Sequence, residues 1–300
     1  MDPFQALRHL RLPKGNLDLT IGNFDGVHIG HKKILQSLNP HRVVLTFLNH
    51  PQSVLTGQSP PLLTLPEHKI NLIKELQVQT VCQIPFTPEL AKMEARSFLI
   101  SLRSVIPFSR LILGHDAVIG YQRQGSAQHL LELASELGFA LTYLPAVALN
   151  AEVVSSSVIR KALTAGQLDK VQSLLGRPYS IQGRVCPGAG MGRILDCPTA
   201  NLDISQLALP PFGVYAVWVK FAQQRFKALA NLGCAPTLQR QTPVLEVHLL
   251  EHQEDLYGKE IEVSFLDFLR PEQRFPSLQA LKEQIQQDIL KSRTYFVTSS

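Results

Sequence analysis

Leu19 to His31 reads "LTIGNFDGVHIGH". An apolar run ends at Gly22, Asp25-Gly26 is a turn-prone pair, and a helical pattern begins near Gly30, so the stretch predicts strand, tight turn and helix. Where such a helix starts, free backbone N–H groups and the positive end of the helix dipole converge on one spot, which favours an anion. His28 and His31 stand on one face of that helix start, and their imidazoles complete a cradle for a triphosphate. Gly30 between them is expected to let a phosphate approach the backbone. Alone, the HxGH letters are evenly balanced against a helix start that merely carries surface histidines.

The surroundings repeat the same rhythm. "LDLTIG", "RVVLTF", "QTVCQI", "RLILG" and "ALTYL" read as short strands, and "HKKILQSL", "PEHKINLIKELQ", "ELAKMEARSFLISL" and "SAQHLLELASELG" as the helices between them. This alternation predicts a Rossmann-like α/β domain, a parallel sheet with helices on both faces and ligands at the carboxyl ends of its strands. After "LLGRPYSIQGRV" the pattern changes. "FGVYAVWV", "KALANLG", "VLEVHLL" and "EIEVSFLDF" come next with hardly a helical pattern between them, and "SLQALKEQIQQDILKSR" restores helix periodicity at the end. A small antiparallel β-barrel with a closing helix is expected, with domains spanning 1–176 and 177–300. A chain of 300 residues is comfortable for two cores.

Composition narrows the function classes. Apolar residues at 45% and charged residues at 18% are those of a folded chain, not a disordered one. The net charge of +5 attracts anions such as ATP, but no block of consecutive Lys and Arg marks a nucleic-acid partner. Cys82, Cys186, Cys197 and Cys234 are scattered without metal-ligand spacing, so reduced thiols and a cytoplasmic location are expected, with no structural zinc. No apolar stretch is long enough to span a bilayer, and no membrane partner is expected.

Two further loops belong with the opening motif. "LILGHDAVIGYQRQG" places Asp116, Gly120, Arg123 and Gly125 directly after a strand. "VVSSSVIRKAL" puts Ser155, Ser156 and Ser157 at a helix start with Arg160 one turn on, a second place for phosphate oxygens. Three such loops at the strand ends of one sheet argue against coincidence. In the second half, "GRVCPGAGMGRILDCPTANLDI" joins a Gly-rich loop, Gly188 to Arg193, to Thr199 and Asn201. Those two are two positions apart, so their oxygens face one side, as Mg²⁺ and ATP phosphates require. A polar turn between strands remains the blander reading. "PVLEVHLLE" alternates, with Leu245, Val247 and Leu249 on one face and Glu246 and His248 on the other. That second face is either a solvent face or the seat of a working carboxylate.

"IGNFDGVHIGH", "GHDAVIGYQRQG" and "VSSSVIR" resemble, in order and spacing, the adenylyltransferase module of bacterial bifunctional riboflavin kinase/FAD synthetases. "GRPYSIQGRV", "GRILDCPTANL", "LEVHLL", "DLYGKEIEV" and "LRPEQRFPSLQALKEQIQQD" resemble the riboflavin kinase domain of the same family. Class I aminoacyl-tRNA synthetases share the HxGH letters, but the chain has no KMSKS-like loop. The resemblance implies ATP-dependent phosphorylation of riboflavin to FMN, then adenylylation of FMN to FAD with release of pyrophosphate, with ATP as co-substrate and Mg²⁺ as cofactor. It implies ATP and phosphate contacts at Gly22, Asn23, Phe24, Asp25, Gly30, Ser156, Ser157, Gly192, Arg193, Thr199 and Asn201. Flavin contacts fall at Asp116, Arg123 and Arg270, Mg²⁺ ligation at Thr199 and Asn201, and a catalytic base at Glu246. Of the first site's chemistry, His28, His31 and Arg160 are expected to carry the charge neutralisation.

The sequence departs from the family pattern at Asn49, where Pro is usual, and at Ala117 and Ile119, where aromatics are usual. It departs again at Asp196-Cys197 and at Ala235. The first group predicts an altered FMN site, with a kinase-only chain as the alternative reading.

Overall fold

The computed structural model describes residues 3–12, 15–39, 41–123, 125–187, 199–236, 241–250 and 256–297. Its first sheet is parallel throughout, in the order β3-β2-β1-β4-β5. The strands are β1 (Leu17–Ile21), β2 (Arg42–Phe47), β3 (Thr80–Ile84), β4 (Phe108–Gly114) and β5 (Ala140–Leu144). Helices α1 (Ile29–Gln36), α2 (Pro51–Leu55), α3 (Pro66–Glu75), α4 (Pro88–Ala91), α5 (Ala95–Val105) and α6 (Ala127–Leu137) come between them. Alternate residues of each strand feed two cores. Leu17, Leu19, Val43, Leu45, Leu111 and Leu113 join one with α5 and α6, and Val44 and Ile112 join the other with α1 and α3. Central β1 is buried along nearly its whole length, and its Asp18 is neutralised by Arg110 of β4 across the register.

One sequence expectation is corrected. "ELAKMEARSFLISL" reads as a single helix, yet α4 ends at Ala91 and α5 starts at Ala95. The Met93 carbonyl accepts from Tyr121 N at 2.8 Å, and a Cβ on Gly120 (φ +100°) would lie 2.7 Å from Ala95 N. The loop after β4 therefore docks on the gap and takes a carbonyl that a continuous helix would have used.

A short hairpin of β6 (Ala148–Leu149) and β7 (Glu152–Val153) precedes α7 (Ser156–Thr164) and α8 (Leu168–Leu175). Gly176 caps α8 in the left-handed conformation. Six antiparallel strands then close a barrel in the order β10-β11-β12-β9-β8-β13. They are β8 (Ser180–Cys186), β9 (Ala200–Asp203), β10 (Gly213–Phe221), β11 (Gln224–Pro236), β12 (Gln241–Leu249) and β13 (Glu260–Pro271). The final helix, α9 (Leu278–Val297), packs Phe296 against Val214, Ala216, Leu229 and Leu269 of the barrel.

The chain divides into two compact units, Met1–Leu62 with Lys69–Ser156, and Leu63–His68 with Ser157–Ser300. Residues 63–68 count with the barrel because His68, 2% exposed, places Nε2 3.3 Å from Glu262 Oε1 and 3.4 Å from Ser180 Oγ. No helix among the described residues is long and apolar enough to cross a membrane.

Candidate active sites

The first site grows from the end of β1. Gly22 to Val27 form a turn in which Phe24 (φ 52°), Gly26 (φ 81°) and Val27 (φ 41°) are all left-handed. For a β-branched Val this conformation is strained, and such strain persists only where surrounding contacts enforce it. Phe24 and Val27 are buried in the α1/α3 core, and Asp25 is buried as well. His28 is the N-cap of α1, its Nδ1 accepting from His31 N at 3.3 Å. With Nδ1 accepting, a neutral His28 carries its proton on Nε2.

The His28 and His31 rings stack, centroids 3.5 Å apart and planes 18° apart, and Phe24 meets His31 edge-on at 5.2 Å. A Cβ on Gly30 would lie 3.1 Å from the His28 ring, and one on Gly22 would lie 3.0 Å from the Phe24 ring. A side chain at position 30 would therefore crowd the His28 ring. Burial, then His28 and Lys69, hold the His31 imidazole well below its usual pKa, so it is neutral. Its Nδ1 is buried without a hydrogen-bond partner among the described residues. An orphaned ring nitrogen at a helix N-terminus is suited to a ligand's polar atom.

The serine loop meets this turn directly, since Ser156 Oγ donates to Asp25 O at 2.9 Å. Ser157 and Arg160 come next on the same helix, α7, with Arg160 one turn beyond Ser156. Asp116 is exposed just past the carboxyl end of β4. Arg123 ends a short 3-10 turn, Tyr121–Arg123, and its side chain lies outside the described residues.

Lys69 of α3, 5% exposed, is a member of this site that sequence reasoning misses. Its ammonium donates to Asn23 O at 3.1 Å and to Phe47 O at 2.8 Å. Its sequence signal lies in "PEHKINLIKELQ", where it precedes the buried Leu72 and Ile73 by three and four positions, a lysine on an apolar stripe.

The second site lies on the barrel. Glu246 of β12 is directly opposite Asn201 of β9 on one side and Asn231 of β11 on the other. Residues paired this way across antiparallel strands point to the same face, with Cβ atoms about 5 Å apart. Leu245 and Val247 are buried, whereas Glu246 and His248 face a cavity of about 320 Å³ that also takes in Thr199, Asn231, Arg270 and Asp288. This face is neither plain solvent face nor barrel core, because Leu281, Ile285 and Asp288 of α9 help to line the cavity. Arg270 is clamped by Asp288, with Nε 3.0 Å from both carboxylate oxygens and Nη2 2.8 Å from Oδ2. Gln284 Nε2 adds a donor to Asp288 at 3.0 Å. Gly192 and Arg193, with the Gly188–Arg193 loop and Asp196-Cys197, lie outside the described residues.

Two family models match the chain, FAD synthetase over residues 13–158 and riboflavin kinase over residues 175–296. The bifunctional riboflavin kinase/FMN adenylyltransferase of Haemophilus influenzae is 35% identical over 93% of this chain and 94% of its own. That of Escherichia coli K12 is 36% identical over 95% of this chain and 94% of its own. The chain belongs to the bifunctional riboflavin kinase/FMN adenylyltransferase family. Among solved structures, one described as a macrolide-efflux protein from Streptococcus pneumoniae superposes with a TM-score of 0.80 at 25% identity, covering 94% of this chain and 95% of that one.

Within this family the departures acquire structural explanations. Asn49 clamps the chain beyond β3, its Nδ2 donating to Phe86 O at 3.0 Å and its Oδ1 accepting from Phe86 N at 2.8 Å. Ile119 is buried and Ala117 packs against the same core. Ala235 lies in β11, its side chain outside the described residues. Family membership implies ATP, riboflavin, FMN and FAD as substrates and products.

Proposed function

We propose that this chain makes FAD from riboflavin in two ATP-consuming steps, phosphorylation on the barrel and adenylylation at the end of β1. We assign residues 177–300 to the kinase and 1–176 to the adenylyltransferase, with Gly176 at the junction. The observation that carries the reading is Glu246 on a cavity, paired across the strands with Asn201 and Asn231, in a chain whose other unit ends β1 in the His28/His31 cradle.

In the kinase step the ribityl hydroxyl attacks the γ-phosphorus of ATP and ADP leaves. A sugar hydroxyl is a weak nucleophile until its proton has an acceptor, and Glu246 is the carboxylate placed to take it. Thr199 and Asn201 supply oxygens beside Glu246, a donor set that suits Mg²⁺, which needs only one or two protein ligands when phosphates complete its shell. When bound, Mg²⁺ neutralises phosphate charge. The Arg270–Asp288 clamp holds α9 against the cavity, and Arg270 presents its apolar stem there to the flavin.

In the adenylyl step a phosphate oxygen of FMN attacks the α-phosphorus of ATP and pyrophosphate leaves. The nucleophile is already an anion, so alignment and charge balance are the protein's task, not proton removal. His28, the backbone N–H groups at the start of α1 and Ser156 are assigned to the phosphates, with Ser157 and Arg160 assigned on the family resemblance. Asn23, Phe24 and Asp25 shape the turn that receives ATP, and Asp116 and Arg123 are assigned to the flavin. Incubation of the purified chain with riboflavin, ATP and Mg²⁺, followed by separation of the flavins, tests the reading. FAD is expected; FMN alone would remove the adenylyltransferase assignment, and unchanged riboflavin would remove both.

A further inference from the structure

Lysine is rarely buried without partners, because its ammonium loses hydration that only close acceptors replace. Lys69 is buried, and the acceptors it has found are the main-chain carbonyls of Asn23 and Phe47, just beyond β1 and at the end of β2. The same Asn23 carbonyl accepts from Thr46 Oγ1 at 3.2 Å. Asn23 immediately precedes the left-handed Phe24, so these bonds fix the entry to a turn that backbone preference alone would not hold. That turn carries Asp25 and leads into His28 and His31.

Charge points the same way. The His31 imidazole is held neutral, and Lys69 is a cation acting on it. The Lys69 ammonium is itself faced by the Asp25 carboxylate. Two of its three N–H donors are directed at carbonyls. Burial lowers its pKa to about 8 despite the opposing pull of Asp25, so it is cationic at neutral pH and loses its charge in mildly alkaline solution.

We propose that Lys69 is a positioning residue for adenylyl transfer, its buried ammonium holding the Asn23–Asp25 turn and the HxGH imidazoles in register while balancing the phosphate charge that arrives with ATP. This rests on the first site being the adenylyltransferase. Without that cation, ATP would bind beside buried Asp25 with no counter-charge from α3. Lysine is required over a neutral residue because both the two carbonyl bonds and the charge come from one group.

The test measures FAD formation from supplied FMN and ATP–Mg²⁺, as kcat and KM for ATP across pH 6.5 to 9.5, in the full-length parent, Lys69→Met and Lys69→Arg. The parent's kcat/KM should fall with an apparent pKa near 8, as Lys69 deprotonates in the free enzyme. Lys69→Met should lower kcat/KM about 100-fold, chiefly through KM for ATP, and abolish the alkaline fall. Lys69→Arg should recover part of the loss and carry the fall beyond the measured range. A parent profile flat to pH 9.5, or Lys69→Met within about threefold of the parent, would overturn the proposal. If Lys69→Met does not fold, the Lys69→Arg profile decides: an alkaline fall still near 8 overturns it. A parent that forms no FAD from FMN would instead refute the adenylyltransferase reading itself.

Discussion

Glu246 stands directly opposite Asn201 where β12 pairs with β9. A carboxylate and an amide whose Cβ atoms are about 5 Å apart on one face form a compact oxygen-rich patch, able to take a proton and hold a phosphate-bound cation at neighbouring points. Strand register sets that proximity, as the turn after β1 sets the stacking of His28 on His31.

Glu246→Gln keeps size and polarity but removes the proton acceptor. Conversion of riboflavin to FMN should fall about 10²- to 10⁴-fold, while FAD formation from supplied FMN persists. Separate assays of the two steps on the same purified variant check this, and FMN production at the parent rate would refute the base assignment.

His31→Ala removes the ring that stacks on His28 and the orphaned Nδ1. FAD formation should fall about 100-fold or more and FMN should accumulate when riboflavin is the substrate. The flavin ratio after a fixed incubation reports the outcome, and an undiminished FAD yield would sink the cradle.

Asn231→Leu tests the flank of Glu246 that has no local sequence signal. Its side chain shares the cavity face with Glu246, so loss of the amide should raise KM for riboflavin or ATP–Mg²⁺ about tenfold, the effect of about 1.4 kcal/mol in binding. A variant with parent kinetics would mean that Asn231 only fills space.

Asp288→Ala leaves the largely buried Arg270 guanidinium without its carboxylate. Removing one partner of a buried pair destabilises by about 3 kcal/mol or more, so a clear drop in the barrel's unfolding midpoint is expected. Chemical denaturation followed through Trp218, which packs edge-on against Phe296 of α9, reads it directly.

Acid stability of the barrel unit should depend on Glu262. The hydrogen bond from His68, with help from Ser180 and the positive charges of His68 and Lys220, lowers its carboxyl pKa from 4.5 to about 2. A depressed carboxyl pKa stabilises the fold above the unfolded value, and this contribution is lost as pH falls from about 4.5 towards 2. Glu262→Gln should therefore unfold more easily than the parent at pH 6, by about 2 kcal/mol, with the difference shrinking toward pH 2. Equal stabilities at pH 6 would rule out the contribution.

Much of the sheet is legible in the sequence because its strands and helices announce themselves through local periodicity. All five parallel strands fall on the runs read for them, and α6 lies between the Ser126 cap and Gly138 that its sequence displays. The break between α4 and α5 is not legible. Its cause is a hydrogen bond to Met93 from Tyr121, twenty-eight positions away, and no local pattern in "ELAKMEARSFLISL" contains it.

By itself the sequence determined the two architectures, the strand-turn-helix at His28, the alternation that puts Glu246 opposite in facing to Leu245, and the pairing of two motif sets in one chain. Tertiary structure alone decided which side chains surround those motifs. Lys69 reaches Asn23 and Phe47 through helix docking, Asn231 and Asn201 flank Glu246 through register, and Asp288 reaches Arg270 through the seating of α9. Periodicity records which face of an element is apolar, whereas these contacts depend on where one element lands on another, a relation fixed by long-range packing and absent from any short window of the chain.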